Sequence, residues 1–164
     1  MLYFGARGTT GFDAIIYGPV KALHDGHSGN WVPNPAALAA EFISDMRRPD
    51  GHILIPGFYD DVKPLTKEER AAMAAVPPVE DGLKKEFGIA RSEAGDTLME
   101  AIMRPAFNVR GIRAGKVGEE AANAIPVDAE VSVDFRLVPN QMPKTVRAKM
   151  ESYLRLKGWT IVTA

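Results

Sequence analysis

The chain has 164 residues, of which 46% are hydrophobic and 25% charged, and its 20 Lys and Arg nearly balance its 21 Asp and Glu. This length suits one domain with an ordinary core, and the balanced charge without a basic block argues against nucleic acid or a membrane surface as a partner. There is no cysteine, so disulfides and thiolate zinc sites are excluded and a cytoplasmic location is expected.

The first predicted elements are a strand and a helix separated by a loop. Residues 12–17, FDAIIY, have the apolar character of a strand. After the loop, Asn34 is expected to cap a helix whose first residue is Pro35. Apolar residues then recur at helical spacing as far as Met46, and Pro49 ends the helix.

Residues 50–104 are charged and only weakly periodic, which indicates an insertion into a simpler core. The segment 52–58 is predicted to form a short strand, and 66–76 and 79–87 are predicted helices separated by two prolines.

The clearest pattern lies in the last third of the chain. Residues 105–112 are a predicted strand, and 129–137 alternate strictly between apolar and polar positions. The polar face of this second strand carries Glu130, Ser132, Asp134 and Arg136. A helix is predicted from Pro143 to Gly158, followed by a last strand over 159–164.

With the insertion set aside, the element order is β-α-β-β-α-β. We therefore predict an α+β, ferredoxin-like sandwich in which a four-stranded antiparallel sheet carries both helices on one face. The whole chain, 1–164, is expected to be a single domain with a core of 9–49 and 105–164 and an insertion of 50–104. The open sheet edges of this fold favour a homodimer formed by edge pairing.

The loop after the first strand reads LHDGHSGNWVPNP, and its glycines and prolines favour a rigid shape that holds polar side chains in place. It resembles the histidine loop of the carnosinase-like zinc metallopeptidases, which are related to aminoacylase and succinyl-diaminopimelate desuccinylase. In that family the loop belongs to a lid, or dimerisation, domain beside a separate catalytic domain.

The resemblance implies that His24 reaches across a dimer into the partner's active site, where it donates a hydrogen bond to the substrate carbonyl and to the oxyanion that follows. Asp25 stands where the family has serine, and its carboxylate is expected to favour the imidazolium form of His24. His27 and Asn30 also match the family loop, and we interpret them as supports of its shape.

Two further segments carry the resemblance. Residues 123–140, NAIPVDAEVSVDFRLVPN, place Asn123 where relatives have a second donor across the dimer, and Arg136 where relatives bind the substrate's terminal carboxylate. From the strand alone, an ion pair of Arg136 with Asp134 or Glu130 is an equally good interpretation. The segment 52–62, HILIPGFYDDV, is similar to the dipeptidase branch.

Family members bind two zinc ions in the catalytic domain, and this sequence has no matching set of histidines and carboxylates. We therefore expect the chain to be the lid and dimerisation domain excised from a longer dipeptidase. It would contact its own catalytic domain, its dimer partner and a dipeptide or small amide substrate, and would be inactive by itself.

Two alternatives stay open. The chain could be a stand-alone ferredoxin-like module that binds a small molecule or assembles with a partner, since a fold does not determine a function. It could also be a complete small hydrolase with zinc held by His24, Asp25 and His27. Convergence of His24, Asn123 and Arg136 on an open surface near a two-fold axis would favour the peptidase interpretation, and scattered positions would favour the binding module.

Overall fold

The structure of the protein, a computed structural model, describes residues 6–163 and has an α+β architecture. Its strands are β1 (Gly8–Tyr17), β2 (Leu23–His24), β3 (Ala106–Ala114), β4 (Ala124–Ile125) and β5 (Asp128–Leu137). Its α-helices are α1 (Asp25–Ser28), α2 (Pro35–Met46), α3 (Lys67–Ala74), α4 (Glu80–Phe87), α5 (Leu98–Ile102) and α6 (Pro143–Leu156), and Gly118–Glu120 form a 3-10 turn. Over residues 6–163, no helix combines the length and the apolar character needed to cross a bilayer.

The main sheet is antiparallel and has the strand order β1-β5-β3. β5 is the central strand, and it pairs with β1 without interruption from Gly8 opposite Leu137 to Tyr17 opposite Asp128. Its pairing with β3 is interrupted by a register shift between Val109 and Gly111. A separate two-residue ladder joins β2 to β4.

One face of this sheet forms the core together with α2 and α6. The strict alternation of β5 puts its apolar side chains on that face, and the two amphipathic helices cover them. Buried residues from these three elements are Ala129, Val131, Val133, Phe135, Leu137, Ala39, Phe42, Met46, Val146, Met150 and Leu154. The predicted start of α2 is confirmed, because the Asn34 side chain accepts a hydrogen bond of 2.9 Å from the Ala36 amide.

The predicted four-stranded sheet is not formed by the residues that the structure describes. Residues 159–163 have no ladder partner, and Ala164 lies outside the described range. The indole of Trp159 donates a 3.0 Å hydrogen bond to Asp45, and the carbonyl of Ile161 accepts one of 3.0 Å from Arg155. Contacts to helix side chains thus hold this segment against the core instead of a strand ladder.

The segment predicted as a strand at 52–58 is irregular but belongs to the core. It forms only an isolated bridge, between Arg47 and Ile53. Ile53, Ile55 and Phe58 are nevertheless almost completely buried. The start of the predicted insertion therefore packs with the sheet and helices of the central fold.

The rest of the insertion is built differently. The two predicted helices are present as α3 and α4, and a third helix, α5, was not predicted. None of the three helices contains a buried residue. They rely on local capping, such as the reciprocal hydrogen bonds between Thr66 and Glu69 at the start of α3.

Gly18 closes the end of β1 nearest the histidine loop. Its amide donates a 2.8 Å hydrogen bond to the Val127 carbonyl. A Cβ atom at this position would lie 2.3 Å from Cγ of Pro35 and 3.2 Å from the Pro126 carbonyl oxygen. The end of β1, the start of α2 and the segment before β5 thus meet at a point where only the hydrogen atom of a glycine fits.

We expect Gly18→Ala to lower the free energy of unfolding by about 1–3 kcal/mol, because the added methyl group must displace the rigid Pro35 ring. Chemical denaturation of the purified chain measures this change. Gly82→Ala is the matched control, since Gly82 lies inside α4 with no atom within 4 Å of its Cβ position. The control should be neutral or slightly stabilising, and an equal loss in both variants would contradict the packing argument.

Candidate functional site

The histidine loop and the segment before β5 are joined by the β2–β4 ladder. His24 lies opposite Ala124, and the Asp25 amide donates a 3.2 Å hydrogen bond to the Asn123 carbonyl. The structure therefore brings His24 and Asn123 together although they are far apart in sequence. Both residues are exposed at this end of the fold.

The His24 ring is oriented by its own loop. Its Nδ1 accepts a hydrogen bond of 3.0 Å from the Gly26 amide, and the side chain is 58% exposed. A nitrogen that accepts from an N–H group cannot carry a proton itself, so this geometry belongs to the neutral imidazole with its proton on Nε2. The Nε2–H group is then the free donor of the ring.

The Asp25 carboxylate lies beside the His24 ring without forming a hydrogen bond to it. The nearest Asp25 oxygen lies 3.8 Å from Nδ1, which is too long for a hydrogen bond, and Nδ1 is already occupied by the Gly26 amide. Both side chains are more than half exposed, so water screens their attraction. The contact between these two side chains is therefore loose and solvent-screened, and it is not a hydrogen bond.

The remaining loop residues hold a compact turn. The His27 ring lies edge-on to the His24 ring with centroids 4.9 Å apart. A side chain at Gly29 would approach the Asp25 carbonyl oxygen to 2.6 Å, and Asn30 adopts a left-handed φ of 62°. Asparagine tolerates that conformation better than most residues, which suits it to this position.

The loop does not fit a metal ion. Within residues 6–163 there is no group of three histidine, cysteine or carboxylate side chains placed to hold one. Nδ1 of His24 already accepts the Gly26 amide, so only Nε2 of that ring could bind an ion, and it does not converge with Asp25 and His27 as a zinc site requires.

Arg136 lies on the polar face of β5, at the other end of the sheet. Its Nε atom is 2.9 Å from Oδ2 of Asp134, and its side chain is 49% exposed. The alternative partner, Glu130, pairs instead with Arg113 at 3.0 Å, and the hydrogen bond from Arg113 lowers the pKa of the Glu130 carboxyl. The predicted ion pair thus exists with Asp134, and the outer edge of the guanidinium stays open to solvent.

Asp134 differs from what its sequence position suggested. Strand alternation predicted an accessible side chain, yet the residue is only 7% exposed. Besides Arg136, its carboxylate accepts a 2.6 Å hydrogen bond from the Thr9 hydroxyl across the β1–β5 pair. The sequence feature that could have indicated this burial is the central position of the strand, because a residue there has neighbouring strands on both sides.

The three predicted site residues do not converge within one chain. His24 and Asn123 lie beyond the Asp128 end of β5, whereas Arg136 is near the opposite end. At about 3.3 Å per residue, the strand from Asp128 to Arg136 spans about 26 Å. An extended dipeptide spans only about 7 Å, so one chain cannot apply both groups to one small substrate.

Comparison with known proteins gives a consistent assignment. The family model for the peptidase dimerisation domain matches residues 5–158. The Cys-Gly metallodipeptidase dug1 of Schizosaccharomyces pombe is 29% identical over 94% of this chain and 33% of its own length. The human Beta-Ala-His dipeptidase is 27% identical over 92% of this chain and 30% of its own length.

Among solved structures, an M20 family metallo-carboxypeptidase from Sulfolobus solfataricus superimposes with a TM-score of 0.83. It is 32% identical, and the match covers 95% of this chain and 41% of that protein. The chain therefore spans about a third of the length of the curated relatives it matches.

The orientation of His24 can be measured in the isolated chain. We expect long-range proton–nitrogen NMR spectra above neutral pH to show His24 with a bare Nδ1 and a protonated Nε2, because Nδ1 accepts the Gly26 amide. In Gly26→Ala the new methyl group would lie 2.9 Å from Cε1 of His24 and should displace the ring, which leaves a mixture of tautomers. The His52 signals provide the control, and a proton on Nδ1 in the unmodified chain would contradict the assignment.

Proposed function

The chain belongs to the M20 peptidase dimerisation domain family, as its sequence motifs predicted, and on this premise we propose that it is the lid domain of a longer, zinc-dependent dipeptidase. The coverage of its relatives supports this proposal, because the matched proteins continue well beyond the shared segment. These two relatives are dipeptidases by name, which favours a dipeptide or similar small amide as substrate. We also propose a cytoplasmic location, in keeping with the lack of cysteine.

His24 would stabilise negative charge on the substrate carbonyl oxygen. Its Nε2–H group is free and exposed because Nδ1 is held by the Gly26 amide. A fixed donor aimed at a developing oxyanion contributes on the order of 10²–10³ in rate in a site that excludes water. Asn123, joined to the same loop through the Asp25 amide, would provide a second donor.

Arg136 would bind the terminal carboxylate of the substrate. Its Nε edge faces Asp134, so the two terminal nitrogens are left to form a paired contact with a carboxylate. The zinc ions that the family implies would be held by residues of a separate catalytic domain, because the described part of this chain offers no ligand set. We accordingly propose that the chain alone does not hydrolyse peptides.

The observation that carries this proposal is the separation of the two groups at opposite ends of β5, whose length from Asp128 to Arg136 is about 26 Å. A homodimer would bring the two groups to one substrate, since one active site could take His24 and Asn123 from the partner chain and Arg136 from its own. Each subunit would then contribute to both active sites.

The dimer contact is proposed to form along the free edge of β3. In the longer protein, the segment 159–163 would complete the ferredoxin-like sheet beside β1, since residues 160–163 already line a groove with that strand. That leaves β3, a nine-residue edge strand, as the open edge. Ile112 on this strand is 57% exposed and would be covered by a second copy.

We expect light scattering of the chain, whose mass is 17.8 kDa, to give twice that mass at micromolar concentrations. Ile112→Lys should shift the protein to the monomer, because a lysine ammonium would be desolvated in the contact. Phe87→Lys, in the exposed helix α4, is the control and should leave the mass unchanged. A monomer at every concentration would rule out this chain as the source of the contact.

Mixing of two inactive variants tests whether His24 acts across the dimer. The first variant of the longer peptidase carries His24→Ala, and the second carries a disabled metal site in its catalytic domain. Each alone should lose at least about 100-fold in kcat. After unfolding and refolding together, random pairing should restore about a quarter of the normal activity, because half of the dimers have one complete site.

The control mixes the metal-site variant with a double variant that carries both changes in one chain. That mixture should stay inactive. Failure of the first mixture to recover, with hybrid dimers shown by mass spectrometry, would mean that His24 acts within its own chain or not at all.

The separation of Arg136 from His24 is also what the alternative function predicts. A stand-alone ferredoxin-like binding or assembly module has no need for these groups to meet. The complete reading frame separates the two proposals, because a module would lack flanking segments with metal ligands.

A further inference from the structure

Asp134 is a carboxylate whose burial the proposed function leaves unexplained. It lies at the centre of the three-stranded sheet on the face opposite the core, between Gly11 of β1 and Asn108 of β3. It is 7% exposed, while its neighbour Arg136 on the same face is half exposed. Removal of a carboxylate from water is costly unless its oxygens are bonded.

Both oxygens of this carboxylate have a partner. Oδ1 accepts a 2.6 Å hydrogen bond from the Thr9 hydroxyl, and Oδ2 lies 2.9 Å from Nε of Arg136. Thr9 is directly opposite Arg136 in the β1–β5 pair, so the hydroxyl and the guanidinium approach Asp134 from two strands. The carboxylate thus links the end of β1 to the arginine of β5.

We propose that Asp134 is a positioning residue for Arg136, which it holds ready for the substrate carboxylate. This inference rests on the proposed role of Arg136. An arginine side chain is flexible, and a half-exposed one samples many rotamers unless a partner fixes it. Contact at Nε restricts the torsions of the side chain and turns the pair of terminal nitrogens outward, which is the edge that forms two parallel bonds to a carboxylate.

The position of Asp134 also limits its competition with the substrate. It occupies the Nε edge of the guanidinium, and the substrate would occupy the far edge, so the positive group lies between the two carboxylates. Thr9 binds Asp134 independently of Arg136, and therefore the anchor stays in place when the substrate arrives. Orientation of Arg136 before the substrate binds would strengthen binding, because less side-chain freedom is lost when the complex forms.

The test uses the longer peptidase and two substrates, a dipeptide and the same dipeptide with an amidated C-terminus. Asp134→Ala should raise KM for the free acid about tenfold, with kcat and the amide KM changed less than about twofold. Asp134→Asn should restore KM to within about threefold, because an amide oxygen of the same shape can still contact Nε while its NH₂ group donates to Thr9. Rescue by the uncharged asparagine separates positioning from charge.

Arg136→Met provides the reference background. It should remove the preference for the acid over the amide, and the addition of Asp134→Ala to it should have no further effect. If the Asp134 variants fold poorly, Thr9→Val offers a milder change and should raise the same KM about threefold.

The possible failures can be told apart. If Arg136→Met leaves the preference for the acid intact, the proposed role of Arg136 is wrong and the inference on Asp134 falls with it. If Arg136→Met removes the preference but Asp134→Ala and Thr9→Val leave KM unchanged, only the positioning role is overturned. A KM rise that affects acid and amide equally, or that persists in the Arg136→Met background, also overturns it.

Discussion

The uninterrupted pairing of β1 with β5 is the interaction on which the rest of this structure depends. It joins ten residues of each strand, and a shift by one residue would turn the core face of β5 to solvent. One end of the pair leads through Gly18 into the histidine loop. The other end places Thr9 opposite Arg136, so both groups of candidate site residues take their positions from a single register.

The elements best predicted from the sequence are those determined by local patterns. The cap at Asn34, the prolines that open α2 and α6, and the alternation in β5 each specify a structure within a few residues. The structure departs from prediction where long-range contacts decide. The burial of Ile53 depends on the sheet and helices around it, and the irregular path of 159–163 depends on Asp45 and Arg155.

The candidate site residues come from the sequence, whereas their relative positions are known only from the structure. Motif resemblance identified His24, Asn123 and Arg136, and the β2–β4 ladder explains why the first two are neighbours. No pattern in the sequence shows that Arg136 lies far from His24. That distance depends on the length of β5 and on the end of the sheet at which the histidine loop emerges. The orientation of the His24 ring likewise depends on a hydrogen bond from a backbone amide, which the sequence does not specify.

The length of β5 has a consequence for how the proposed dimeric peptidase would behave in dilute solution. If the two halves of each active site are supplied by different subunits, dissociation does more than release two independent catalysts. Each separated subunit would still bind the terminal carboxylate of the substrate through Arg136. It would lack the His24 that stabilises the reacting oxygen. Specific activity would then fall on dilution. The concentration of the protein in the cell would therefore set the activity of each subunit as well as the number of subunits.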